Sequence, residues 1–190
     1  MIFEIIIKLK VKERNRIMKC LMKALAVSLF VAASITVSAE NLLKDTKLSK
    51  EGGWFFWLGK PVLDAGGSCV LQDGKAAIKS PALEKQNAWD IQLIKPVDVD
   101  AGKKYKLTFK AKSEKAGNIS ISYGLNKDPY TGYAGASVAL EPGEKAYECT
   151  LATEKDKDGI YDSPRALRFA LGNFKDANVT LSDMSFEEVK

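Results

Sequence analysis

Residues 89–113 read WDIQLIKPVDVDAGKKYKLTFKAKS, two strands joined at a tight corner. In the second, Tyr105, Leu107, Phe109 and Ala111 alternate with Lys104, Lys106, Thr108, Lys110 and Lys112. Successive strand side chains point to opposite faces, so this strand has one apolar face and one wet one. Asp100-Ala101-Gly102 supplies turn chemistry just before it. In the first strand, Ile91 and Leu93 share a face, which leaves Asp90 and Gln92 on the other.

The same punctuation continues on both sides. Gly52-Gly53, Gly66-Gly67, Asp73-Gly74, Ala116-Gly117-Asn118, Pro142-Gly143 and Asp158-Gly159 separate short β-branched and aromatic runs. No helical stripe longer than two turns follows residue 40. Many short strands at regular spacing predict an all-β domain, an antiparallel sandwich or barrel, over residues 40–190.

The N-terminus reads differently. Residues 18–39, MKCLMKALAVSLFVAASITVSA, have the parts of a secretory signal peptide: Lys19 and Lys23, an apolar run from Ala24, and Val37-Ser38-Ala39 as the cleavage site. The run falls short of the ~20 residues of a membrane span. Residues 1–17 read as an over-extended start, with Met18 the initiator. The whole chain carries 29 basic and 24 acidic residues, but residues 1–39 hold seven basic and two acidic ones. The mature chain therefore has 22 of each. A neutral domain gives no global electrostatic case for nucleic acid or an anionic membrane. The expected location is secreted, periplasmic or extracellular.

The ordered series of strands resembles the CenC-type carbohydrate-binding modules, galactose-binding-like jelly rolls found beside polysaccharide-degrading enzymes. It begins with Asn41-Leu42-Leu43 and Gly53-Trp54, then Gly74-Lys75-Ala76-Ala77-Ile78. Trp89–Leu93 and Tyr105–Lys112 follow, then Asn118–Ser122, Ala166–Gly172 and Val179–Phe186. The resemblance covers residues 41–189 and implies a jelly roll whose ligand is a polysaccharide or oligosaccharide. Relatives often place residues matching Trp89 and Gln92 in a concave binding cleft. Many also hold a structural calcium ion between their first and last strands. Here Ser49 stands where the family often has an acidic residue, a departure at that site. No other cofactor is implied.

The residue inventory narrows the chemistry. The chain has no histidine, so triads and histidine zinc sites are excluded. It has no glycine-rich phosphate loop. A glycosidase needs only two carboxylates, but here they sit beside lysines at turns and on wet faces. Asp156, Asp158 and Asp162 read as a charged loop. Catalysis is not expected. Cys69 and Cys149 remain after cleavage, and their even number in an oxidising destination makes them a disulfide candidate. Two buried, unpaired thiols are the alternative.

Sugar rings present flat C–H faces that pack on aromatic rings, and their hydroxyls need polar partners around the rim. Three groups have this character. Trp54-Phe55-Phe56-Trp57 puts one aromatic pair on each face of a strand. Trp89 and Gln92 form the second, although strict alternation would send Trp89 to the core with Ile91. Asn126, Asp128, Tyr130 and Tyr133 lie in a Pro-Gly loop that could rim a cleft or cover the sandwich edge. Arg168 alternates with Leu167 and Phe169 and could join Gln92. The expected carbohydrate-binding residues are therefore Trp54, Trp57, Trp89, Gln92, Asn126, Tyr130, Tyr133 and Arg168. Two competing readings stay open. One is a cell-envelope module for protein contacts without sugar binding. The other is a glycoside-hydrolase-associated protein or hydrolase.

Overall fold

The structure is a computed structural model that describes residues 40–44, 47–154 and 163–190. The signal peptide, the early start and the acidic loop at 156–162 lie outside the described residues.

Among the described residues ten strands follow one another: β1 (Phe55–Leu58), β2 (Ser68–Gln72), β3 (Lys75–Ser80), β4 (Ile91–Pro96), β5 (Lys104–Ser113), β6 (Gly117–Leu125), β7 (Gly132–Leu140), β8 (Gly143–Ala152), β9 (Arg165–Ala170) and β10 (Ala177–Glu188). One short helix, α1 (Lys60–Asp64), separates β1 from β2. The strands form two five-stranded antiparallel sheets, ordered β1-β4-β9-β6-β7 and β2-β3-β10-β5-β8. Apart from the β2–β3 and β6–β7 hairpins, neighbours in each sheet are not consecutive in sequence, as the expected jelly-roll sandwich requires.

The 89–113 stretch bridges the sandwich: β4 lies in the first sheet and β5 in the second. The corner between them is pinned by Tyr105, whose hydroxyl accepts from the Asp100 N–H at 2.8 Å. Gly102 has φ +71°, a left-handed conformation that glycine adopts without steric cost. The alternation of β5 is realised as read. Tyr105, Leu107, Phe109 and Ala111 are buried, and the lysines face out.

Aromatic contacts join the layers. Phe109 of β5 meets Phe169 of β9 edge-to-face at 5.8 Å, and Phe169 meets Trp54 at 6.2 Å. The opening segment is tied to the last strand by Asn41, whose Oδ1 accepts from the N–H of Leu43 at 3.1 Å and of Phe186 at 3.0 Å.

The cysteines do not form a bridge. Cys69 is on β2 and Cys149 on β8, the two opposite edges of the second sheet. Four strand spacings of about 4.8 Å separate those edges by roughly 19 Å, far beyond the ~7 Å Cα limit for a disulfide. Both are free, half-buried thiols against the core.

Candidate functional site

The outer face of the first sheet is readable from its register. Phe56 pairs with Leu93 and Leu58 with Ile91, both fully buried partners, so these side chains point inward. The intervening residues point outward and line up across all five strands. One row runs Trp57, Gln92, Ala170, Ser120, Ser137. The next runs Phe55, Ile94, Arg168, Ser122, Gly135. The central strands β9 and β6 contribute mainly small side chains to this face, while β1 contributes two large rings. The result is a trough across the strands, roughly 19 Å from β1 to β7 at ordinary strand spacing.

Exposure sorts the sequence candidates. Trp57 is 45% exposed, Trp89 59% and Tyr130 62%, and Phe55 at 41% joins them. Several exposed large rings on one face of a sheet are the kind of feature that marks an interaction surface. Trp57 follows from the alternation of the WFFW run: it is out of phase with the inward Phe56 and Leu58.

Trp89 does not follow from alternation, because it is not in the strand. Ala88–Asp90 form a 3-10 turn that precedes β4 and breaks the two-residue period. The turn is capped in both directions between Asn87 and Asp90, with the Asn87 N–H donating to Asp90 Oδ2 at 2.7 Å. Asp90 also accepts from the Gly59 N–H at 2.8 Å through its carbonyl, tying the turn to the end of β1. Gln92 donates from Nε2 to the Trp89 carbonyl at 3.0 Å. This bond leaves the Gln92 side-chain carbonyl as its remaining acceptor.

Two candidates leave the site. Trp54 is 1% exposed and packs on Phe169, because it shares the inward phase of Phe56. Tyr133 is 4% exposed and belongs to the core cluster. It sits where the β6–β7 register shifts from Tyr123↔Ala134 to Gly124↔Gly132, so a bulge turns it away from the rim.

Arg168 does lie on the outer face, but deep, at 7% exposed. Its Nη2 donates to the Leu125 carbonyl and, at 3.4 Å, to Asn126 Oδ1. The Tyr130 ring lies 5.8 Å from its guanidinium carbon. Asn126, Tyr130 and Arg168 are thus one cluster beyond the end of β6. Burial pushes the Arg168 pKa below its usual range.

Ser120, Ser122 and Ser137 were missed as candidates. The signal was present in Asn118-Ile119-Ser120-Ile121-Ser122, where Ile119 and Ile121 are buried and the serines take the other face. A groove of about 670 Å³ opens between the sheet edges β1 and β2, bordered by Lys50, Trp54, Phe55, Cys69 and Val70 among others, and so shares Phe55 with the rim of the trough.

Asn41 Oδ1, at the join of the opening segment and β10, faces two N–H donors. Among the described residues no three His, Cys, Asp or Glu side chains gather to hold a metal. Among the same residues no helix is long and apolar enough to cross a membrane.

A jelly-roll sandwich with an aromatic-rimmed trough across one sheet defines a class of ligand-binding β modules. The comparisons place the chain within it. Residues 41–161 match the carbohydrate binding domain family, and the chain belongs to that family. It is similar to the second N-terminal cellulose-binding domain of Cellulomonas fimi beta-1,4-glucanase C, at 21% identity and TM-score 0.62 over 82% of this chain and 98% of that one. It is also similar to the N-terminal domain of the same glucanase, at 19% identity and TM-score 0.53 over 73% and 90%. A CBM4 structure matches at 24% identity and TM-score 0.58 over 72% and 86%. These likenesses establish the fold. No curated protein sequence matches.

Proposed function

We propose that the domain is an exported, non-catalytic module that holds polysaccharide in the trough of the first sheet. The observation that carries this reading is the ring of exposed Trp57, Phe55, Trp89 and Tyr130 around a floor of Gln92, Ala170, Ser120 and Ser137. Rings supply stacking surface for sugar C–H faces, and the serines, Gln92 and Asn126 supply hydrogen bonds to hydroxyls. Small floor residues leave room for the chain to lie across the strands. Affinity then comes from several modest contacts.

The non-catalytic part of the reading rests on charge. Among the described residues, the outward positions of β1, β4, β9, β6 and β7 carry no Asp or Glu. Glycoside hydrolysis ordinarily needs two carboxyl groups flanking the bond. The N-terminal sequence supports export.

Affinity electrophoresis against β-glucans, xylan, mannan and pectins is the direct test. Retarded migration in at least one gel, with no reducing sugar released on incubation, is the expected result. Unretarded migration in all of them defeats the reading.

A further inference from the structure

Arg168 carries the one formal charge at the outward strand positions of the trough among the described residues. It lies between Ile94 and Ser122, in the middle of the second row. Its charge has no carboxylate partner: none of the ion pairs among the described residues includes it. Among the described residues, the ionisable group that acts on it is the phenol of Tyr130. Both of its hydrogen bonds leave from Nη2, to uncharged oxygens. The Nε and Nη1 donors have no acceptor among the described residues.

A buried charge without a partner is costly, and a lone guanidinium is an expensive way to hold a loop. On the wet face of the second sheet, Lys106 pairs with Glu148 and Lys110 with Asp183. Arg168, on the outer face of the first sheet, has no such match among the described residues. The planar fork of arginine is shaped for bidentate contact with a carboxylate. A neutral sugar hydroxyl satisfies one donor and leaves the charge uncompensated.

We propose that the trough selects acidic polysaccharide, with the carboxylate of a uronic acid residue on the Nε and Nη1 edge of Arg168 and the Tyr130 ring beside it. This rests on the trough being the sugar site. The uronate supplies the missing counter-charge, and Trp57 and Trp89 take neighbouring rings.

The test uses polygalacturonate and alginate, each beside its carboxyl-reduced counterpart, in which the carboxylate has become a neutral hydroxymethyl group. The mature domain should bind at least one polyuronate about tenfold more tightly than its reduced form, the difference expected of a charge-assisted bidentate contact. That preference should shrink as salt is raised. Arg168→Gln should abolish the preference, read within the variant as the ratio of polyuronate to reduced-polymer binding, whatever the loss in overall affinity from Asn126 and Tyr130, which Arg168 touches. If Arg168→Gln fails to fold, Arg168→Lys keeps the charge without the fork and should lose most of the preference. Equal binding to polyuronate and reduced polymer overturns the proposal while the sugar-binding reading stands. Binding to none of these polymers, nor to β-glucan, xylan or mannan, overturns both. Dextran sulfate bound as tightly as polyuronate, and with the same dependence on Arg168, overturns the assignment to a carboxylate.

Discussion

Trp57 stands directly opposite Gln92 on the β1–β4 ladder, and both side chains face away from the core. A flat ring beside a free amide oxygen is a paired stacking and hydrogen-bonding unit. It sits at the edge of the trough, where a glycan chain would enter the sheet. Because Trp57 is 45% exposed, its loss should affect binding far more than folding.

Trp57→Ala should weaken retention by the preferred polysaccharide about tenfold, the loss of one aromatic platform worth ~1.4 kcal/mol. The melting temperature should stay within about 2 °C of wild type, as for most exposed substitutions. Trp89→Ala should behave the same way. Affinity electrophoresis paired with calorimetry checks both, and unchanged mobility of both variants would remove these rings from the site.

Trp54→Ala should do the opposite. Trp54 is three residues from Trp57, yet it is buried against Phe169 at the join between the sheets. Deleting such a ring costs about 3–5 kcal/mol in stability. Urea unfolding should show that loss, while any protein that remains folded at low temperature keeps its retention. A destabilisation under ~1 kcal/mol would contradict the packing described.

These two tryptophans show what the sequence could and could not reveal. The WFFW run announces one inward and one outward pair, and the buried Phe56 and Leu58 settle which is which. The alternation of Tyr105 to Ala111 likewise fixed the strand and its wet face. Trp89 was ambiguous because a 3-10 turn restarts the period at Ile91, and such a turn leaves no trace in hydrophobic spacing. Tyr133 was misplaced because a bulge shifts its phase by one residue. The cysteine pairing failed for a topological reason: alternation shows that a residue is on a strand, but not which strand is its neighbour. Sheet order in a jelly roll is set by long-range pairing, and Cys69 and Cys149 fall at opposite edges.

The free thiols give a pH dependence. Burial pushes Cys69 up to about 12 and Cys149 up to about 11, against about 8.5 in an unfolded chain. A thiol whose pKa is raised by folding leaves stability intact below the unfolded value. Above it the unfolded chain ionises first, so stability falls as pH rises toward the folded values. Wild type should therefore lose stability between about pH 9 and 11 more steeply than a Cys69→Ala, Cys149→Ala variant, compared by urea midpoints. Iodoacetamide at about pH 8 should label both cysteines in urea without reductant and label neither quickly in the folded protein. Failure to label in urea would mean the sulfurs are bonded after all.

Gly172 governs where Trp89 stands. It follows β9, its N–H donates to the Ala88 carbonyl at 2.8 Å, and a Cβ there would lie 1.9 Å from the Asn87 carbonyl oxygen. No side chain fits between that backbone and the 3-10 turn, so Gly172→Ala must push the Ala88–Asp90 turn off the end of β9. The Gln92 bond to the Trp89 carbonyl and the Asp90 bond to Gly59 both depend on that turn. The variant should lose about 1–3 kcal/mol, the usual cost of overpacking. It should also lose retention by as much as Trp89→Ala does, although Gly172 offers no side chain to a ligand. A double variant Gly172→Ala, Trp89→Ala should then bind no more weakly than either single one, since both remove the same platform. Additive losses in that cycle would show that Gly172 acts on the site by some route other than Trp89.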